Sequence, residues 1–221
     1  MDVVVFGATR GSGLAITREL VAAGHRVTAF GRTASTAFAA PVTGPGSLRP
    51  VDGDALDPDA VTRAVAGQDA VVVTLGISDN PLAVQWLHRS STAQDVRSRG
   101  TATVVAAMRE TGVRRLVAQS TYGLGGSWAH LDLTWKLAFR FVIGRQFTDS
   151  GRQEEVVRAS GLDWTLVRPV SLTDDATEAP AHVTTDDTRR GLKVSRAQLA
   201  RVHAAALADP AAVGATLSVS G

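Results

Sequence analysis

The sequence predicts an α/β protein built on a doubly wound parallel sheet of six to seven strands, with helices on both faces and a small helical lobe at one end. Three observations carry that prediction. Short unbroken apolar runs alternate with longer stretches whose apolar positions recur at helical spacing. The first apolar run passes directly into a glycine-rich turn and then a helix. Each strand–helix–strand unit is long enough for a crossover, which closes right-handed and pairs its strands in parallel.

The run VVVF (3–6) reads as a strand buried on both faces. SGLAITRELVAAG (12–24) is helical, with Gly13, Ile16, Leu20 and Ala23 on one face and Gly24 at the stop. HRVTAF (25–30) and LRPVDGD (48–54) are the second and third strands. DPDAVTRAVAG (57–67) is a helix opened by Asp-Pro and closed by glycine, and DAVVVTLG (69–76) is a fourth strand. Residues 95–112 form a helix and VRRLVAQS (113–120) a fifth strand. A helical region follows over about 129–160. LDWTLVRP (162–169) is a strand that Pro169 ends; SRAQLARVHAAALADP (195–210) is a helix with a Ser N-cap, and ATLSVSG (215–221) a last short strand.

Composition narrows the function. The 221 residues, 44% hydrophobic and 20% charged, are expected to form one domain over 1–221. No cysteine is present, which excludes disulfides, thiolate catalysis and cysteine-based metal sites. His25, His88, His130, His182 and His203 lack ligand spacing, so no metal is expected. Arginine outnumbers lysine 21 to 2, but the basic residues are dispersed and the net charge is only +2. Neither a nucleic-acid partner nor a membrane partner is expected. The opening apolar run is too short for a signal peptide, and the expected location is cytoplasmic.

Gly7, Gly11 and Gly13 answer to a dinucleotide. A helix N-terminus offers unpaired N–H groups and the positive end of its dipole to a pyrophosphate. Gly7 permits the tight turn, Gly11 the close approach of backbone to phosphate, and Gly13 the packing of helix on strand. Thr9, Arg10 and Ser12 complete the turn.

GATRGSG (7–13) resembles the glycine motif of the short-chain dehydrogenase/reductases, in its form with a three-residue gap. VDGDALD (51–57) is similar to their acidic turn, which implies that Asp54 meets the adenine. VTLG (73–76) sits where their fourth strand ends, placing Leu75 and Gly76 beside the adenosine, and Pro169 is implied at the nicotinamide end. GVRRLVAQSTYG, EEVVRASGLDWTLVRP and SRAQLA resemble the atypical branch, the NmrA-like and biliverdin-reductase-B-like proteins. The resemblance covers almost the whole chain and implies a Rossmann sheet. After the second strand there is no carboxylate for a ribose hydroxyl, and Arg32 follows Gly31 instead. Arg10 and Arg32 closing on a 2′-phosphate imply NADP(H) as cofactor.

The family's usual proton donor, a Tyr-x-x-x-Lys pair, is absent; at the classical distance Asp132 stands in the Tyr place before Lys136, and in the register of the atypical members the place falls near Phe147 to Gly151, again without Tyr or Lys. Ser120 and Thr121 match the family's hydroxyl at the end of strand five. Ser120 is the expected donor to a substrate oxygen, and Tyr122 is either a displaced proton donor or an aromatic pocket wall. Lys136 reads as an exposed helical residue. Arg168 is expected to act through its backbone more than its guanidinium. Segments 77–91, 122–136 and 170–190 follow the strand ends and carry Trp86, Trp128 and Trp135, pointing either to a flat, apolar substrate or to a small helical lobe that packs its own aromatics.

The expected activity is reduction of a small carbonyl, quinone or flavin-like compound by NADPH, in a monomer or homodimer. A non-catalytic NADP-sensing protein and a non-redox cyclase or dehydratase are the alternatives. Arg32→Ala should weaken NADPH binding by roughly 1.5–3 kcal/mol and spare NADH, with both measured at one salt concentration. Equal affinity of the unmodified protein for the two cofactors would overturn the 2′-phosphate reading.

Overall fold

The computed structural model describes residues 1–76, 94–128 and 144–221. In chain order the elements are β1 (Asp2–Phe6), α1 (Gly11–Ala22), β2 (Arg26–Gly31), α2 (Ala34–Ala37), β3 (Ser47–Asp52), α3 (Pro58–Val65) and β4 (Ala70–Val73). Then come α4 (Val96–Thr111), β5 (Arg115–Gln119), a 3₁₀ turn (Gly125–Trp128), α5 (Gly144–Arg158) and β6 (Asp163–Pro169). The chain closes with β7 (Ser171–Thr173), β8 (His182–Thr184), β9 (Lys193–Ser195), α6 (Arg196–Ala208) and β10 (Thr216–Ser220).

Eight strands form one sheet in the order β3-β2-β1-β4-β5-β6-β10-β8, and β7 pairs with β9 apart from it. Every pair in the main sheet is parallel except β10–β8. The extra strand, beyond the six to seven expected, is β8. Its three residues, His-Val-Thr, make no apolar run, and it earns its place only by pairing with Val219 and its neighbours. Of the segments expected on the substrate side, residues 125–128 form a 3₁₀ turn and residues 171–173 and 182–184 are extended. The remainder of the expected helical lobe falls in 77–93 and 129–143, outside the described residues.

Alternation along β1 divides the core. Val3 and Val5 face one layer with Ile16 and Leu20 of α1 and Leu199 and Leu207 of α6. Val4 and Phe6 face the other with Val61 of α3 and Val104 and Met108 of α4. Such two-sided burial is why these strands read as continuous apolar runs. The buried face of α1 is Gly13, Ile16, Thr17, Leu20 and Val21 rather than one including Ala23. Ala23 is already the C-cap, and Gly24 follows at φ 86°. No helix among the described residues is long and apolar enough to cross a membrane.

His203 sits fully buried on α6. Its Nδ1 lies 3.0 Å from the Leu199 carbonyl, which can only accept, so the proton is on Nδ1. Nε2 is left buried without a partner. Burial pushes its pKa down from 6.5 to about 4, against a smaller opposing pull from the Leu199 carbonyl. The ring is therefore neutral in the folded protein while the unfolded chain takes up a proton below 6.5. Stability contributed by the neutral ring is complete above that value and is lost as pH falls toward 4, by about 3 kcal/mol in total. Urea unfolding at neutral pH and near pH 4 should show this loss. His203→Leu should remove most of it, whereas an unchanged acid sensitivity would rule out His203 as its source.

Candidate dinucleotide and substrate site

The site begins where α1 meets the sheet. A Cβ on Gly13 would stand 2.0 Å from the Gly7 carbonyl oxygen and 2.6 Å from Thr74 Oγ1. Gly7 itself has φ +83°, and a Cβ there would lie 2.8 Å from the Thr74 carbonyl. Thr74 Oγ1 donates to the Phe6 carbonyl at 2.9 Å, which holds the ends of β1 and β4 together under the turn. Gly11 follows at φ +50°.

The start of α1 is bare of side-chain caps. Arg10, its N-cap, is extended at φ −148°, ψ 162° and makes no capping hydrogen bond. The other long helices with described starts are satisfied differently. Asp57 accepts from Asp59 N and Ala60 N on α3, and Ser195 from Gln198 N on α6. On α4, Asp149 reaches across from α5 to accept from Arg97 N at 3.0 Å and Ser98 N at 3.2 Å. A cradle too tight for any side chain, beneath uncapped N–H groups, fits a pyrophosphate.

The rim of the cradle is basic. A Cβ on Gly31 would lie 2.9 Å from Thr9 Cγ2, so the end of β2 packs on the glycine turn. Arg10 and Arg32, each one residue further on, are both exposed there. The acid opposite Gly31 in register is Asp52 of β3, and its carboxylate is turned onto Ser35 N and Oγ of α2. Asp54 is exposed, with Oδ1 accepting from Leu56 N at 2.9 Å. Leu75 is buried under α4, where Gly100 leaves the space its Cδ1 occupies. Gly76 is half-buried beneath the Arg97 guanidinium, with Nη2 3.0 Å from where a Cβ would be. Ser12 is half-buried in the first turn of α1, and Pro169 is buried with its carbonyl accepting from Tyr122 N at 3.0 Å.

At the ends of β5 and β6 the structure corrects three expectations. The Arg168 guanidinium is a buried anchor. Its Nε and Nη2 donate to Glu154 Oε1 and Oε2 at 2.8 and 2.6 Å, and Nη1 to Asp187 Oδ1 at 3.3 Å. Burial opposes its charge, but the two carboxylates outweigh that and raise its pKa above the ordinary arginine value. Ser120 is 2% exposed and donates its only hydroxyl proton to Glu154 Oε1 at 2.7 Å, so it is not presented to a substrate. Tyr122 is 4% exposed within the core, its phenol donating to the Asp187 carbonyl at 2.7 Å. Burial raises its pKa, which makes it a weaker acid. It is neither a poised proton donor nor an open pocket wall.

Thr121 is the hydroxyl left at the strand end. It is half-buried, and its hydrogen bond among the described residues, to the Tyr122 carbonyl, is long at 3.4 Å. Asp187, which sequence reasoning missed, holds the far wall at φ +63°. It also accepts from Ser218 Oγ at 2.7 Å, and Gly126 leaves it room. Glu154 and Arg168 were visible only as helix and strand residues, because 14 positions separate them. Trp86, Trp135 and Lys136 lie outside the described residues; the backbone of Trp128 ends the 3₁₀ turn. A cavity of about 750 Å³ opens on the outer side of α1, between residues 37–43 and the start of α6.

Comparison with known proteins agrees with this geometry. The 2-alkyl-3-oxoalkanoate reductase of Stenotrophomonas maltophilia is 39% identical over 121 residues, 55% of this chain and 33% of that protein. The match thus spans a third of that relative's length. ChuY, an anaerobilin reductase from Escherichia coli O157:H7, superposes with a TM-score of 0.77 at 24% identity, over 99% of this chain and 96% of that one. A short-chain dehydrogenase/reductase from Veillonella parvula in complex with NADP gives 0.78 at 17% identity, over 100% and 94%. Both are likenesses of fold. The NAD(P)H-binding family matches residues 7–210, from the glycine turn through the whole of α6, and the chain belongs to that family.

Proposed function

We propose that the protein is an NADPH-dependent reductase of a small apolar carbonyl, quinone or flavin-like compound. The observation that carries this reading is the uncapped, Cβ-free cradle at Gly7–Gly13 with two exposed arginines on its rim. The N–H groups of α1 hold the pyrophosphate, and Arg10 and Arg32 hold the 2′-phosphate. Thr9 and Ser12 line the turn. Asp54, Leu75 and Gly76 flank the adenosine, and Pro169 shapes the strand end near the nicotinamide. The reductase named in S. maltophilia supports the reaction class.

NADPH supplies the hydride when bound. The chain's own part is to position the acceptor and to hold a donor at its oxygen as charge develops there. Thr121 fits that role better than Ser120, whose proton is engaged by Glu154. The Glu154–Arg168–Asp187 network fixes β5, β6 and residue 187 relative to one another, so Thr121 stands on a rigid strand end. The occupied hydroxyls of Ser120 and Tyr122 are the one observation that favours a non-catalytic, NADP-sensing role instead.

Turnover of NADPH with a panel of quinones, flavins and polycyclic ketones separates the two readings. Thr121→Val should lower kcat on the order of 10²- to 10³-fold with NADPH affinity unchanged. Ser120→Ala should cost roughly 0.5–1.5 kcal/mol of stability and leave kcat within a few-fold. The reverse pattern would return the donor role to Ser120. Tight NADPH binding without turnover of any acceptor class would support the sensing role.

A further inference from the structure

Arg196 is the first residue of α6, some 185 positions from the glycine turn, yet its Nε stands 3.5 Å from where a Cβ of Gly11 would be. That Nε is sealed from solvent and has no hydrogen-bond partner among the described residues. On its other side the guanidinium donates through Nη1 to Asp174 at 2.7 Å, and Asp174 is 86% exposed. One edge of the fork is thus tied to a solvated carboxylate, while Nε is closed in beside the cradle.

The mounting of Arg196 is rigid. Ser195 and Gln198 form a reciprocal capping box around it, which fixes the backbone of the first turn of α6. The segment after β7 is fastened to the same helix at three further points. Arg201 Nη2 donates to the Thr177 carbonyl at 2.9 Å and to the Ala179 carbonyl at 3.0 Å, and Gln198 Nε2 to the Ala179 carbonyl at 3.2 Å. Asp174 therefore precedes a segment that is tied to α6.

A buried cationic N–H without an acceptor is costly and calls for an explanation, and an anion at Gly11 supplies one. We infer that Arg196 is a phosphate-binding residue of the dinucleotide site, delivered from the far end of the chain to clamp the pyrophosphate over Gly11. The inference rests on the cofactor reading above. It gives α6 a direct role at the cofactor, while the pairing of Nη1 with the solvated Asp174 carboxylate adds little to the affinity. Because both NADPH and NADH carry the pyrophosphate, Arg196 serves either, whereas Arg10 and Arg32 serve only the 2′-phosphate.

Binding titrations of the full chain with NADPH, NADH and 2′-AMP test this without reference to turnover. Arg196→Met should weaken NADPH and NADH by the same factor, roughly 10- to 100-fold, and leave 2′-AMP unchanged. Arg196→Lys, which keeps the charge, should recover part of the loss. Asp174→Asn, which removes the ion pair but keeps the arginine, should stay within about threefold of the parent. Parent-like affinity of Arg196→Met for both dinucleotides overturns the inference. An Asp174→Asn loss as large as that of Arg196→Met also overturns it, since the anchored segment would then be the cause. If Arg196→Met proves unfolded by circular dichroism, the Lys variant decides: parent-like or partly reduced dinucleotide binding with unchanged 2′-AMP sustains the clamp, and an equal loss of all three ligands refutes it. Failure of the unmodified protein to bind either dinucleotide would instead refute the cofactor reading itself.

Discussion

Helix α1 approaches the sheet more closely than any side chain allows. The Gly7 carbonyl and Thr74 Oγ1 occupy the space a Cβ of Gly13 would need, and the Thr74 carbonyl does the same to Gly7. This contact sets the height of the α1 N-terminus above the ends of β1 and β4. The N–H groups of the first turn consequently face the crevice rather than solvent at large. Packing and ligand binding are here one constraint, because the small residues that let the helix sit down also let a phosphate approach the backbone.

A second constraint lies at the other side of the crevice, where the fold buries charge. Glu154 and Arg168 meet as a two-point fork with both side chains almost fully covered, and Asp187 adds a second carboxylate. Burial of an ion pair is weak evidence of net stability, since desolvation offsets most of the attraction. Its effect is geometric. The fork joins α5 to β6, Ser120 joins β5 to the same carboxylate, and Asp187 draws in β10 through Ser218. Losing one member would strand the others as buried charges, so the arrangement is specified tightly. The left-handed backbone of Asp187 is held within this network, in a conformation that asparagine and aspartate tolerate better than most residues.

Both constraints are satisfied by residues distant in the chain. The glycine turn is local, but its neighbours Thr74, Gly31 and Arg196 come from the residue after β4, from β2 and from α6. The order β3-β2-β1-β4-β5-β6-β10 places the strand ends side by side and brings the connections that follow them to one edge of the sheet. An α/β sheet thus gathers a site from many short contributions without any of them being adjacent in sequence.

The sequence by itself determined the parallel architecture, the cradle and its basic rim, because those signals are local. Unbroken apolar runs mark strands covered on both faces, glycines mark a turn that tolerates no Cβ, and Arg10 and Arg32 lie within a few residues of the elements that display them. The capping residues Asp57 and Ser195 were legible for the same reason. Strand β8 was not, since three polar-flanked residues become a strand only when β10 offers its edge. Nor could the sequence show that Ser120 is engaged while Thr121 is left at the strand end: two adjacent hydroxyls look alike until Glu154 is brought against one of them. Tertiary structure alone decided which polar groups are already satisfied, because a hydrogen-bond partner is chosen by distance in space and not by separation along the chain.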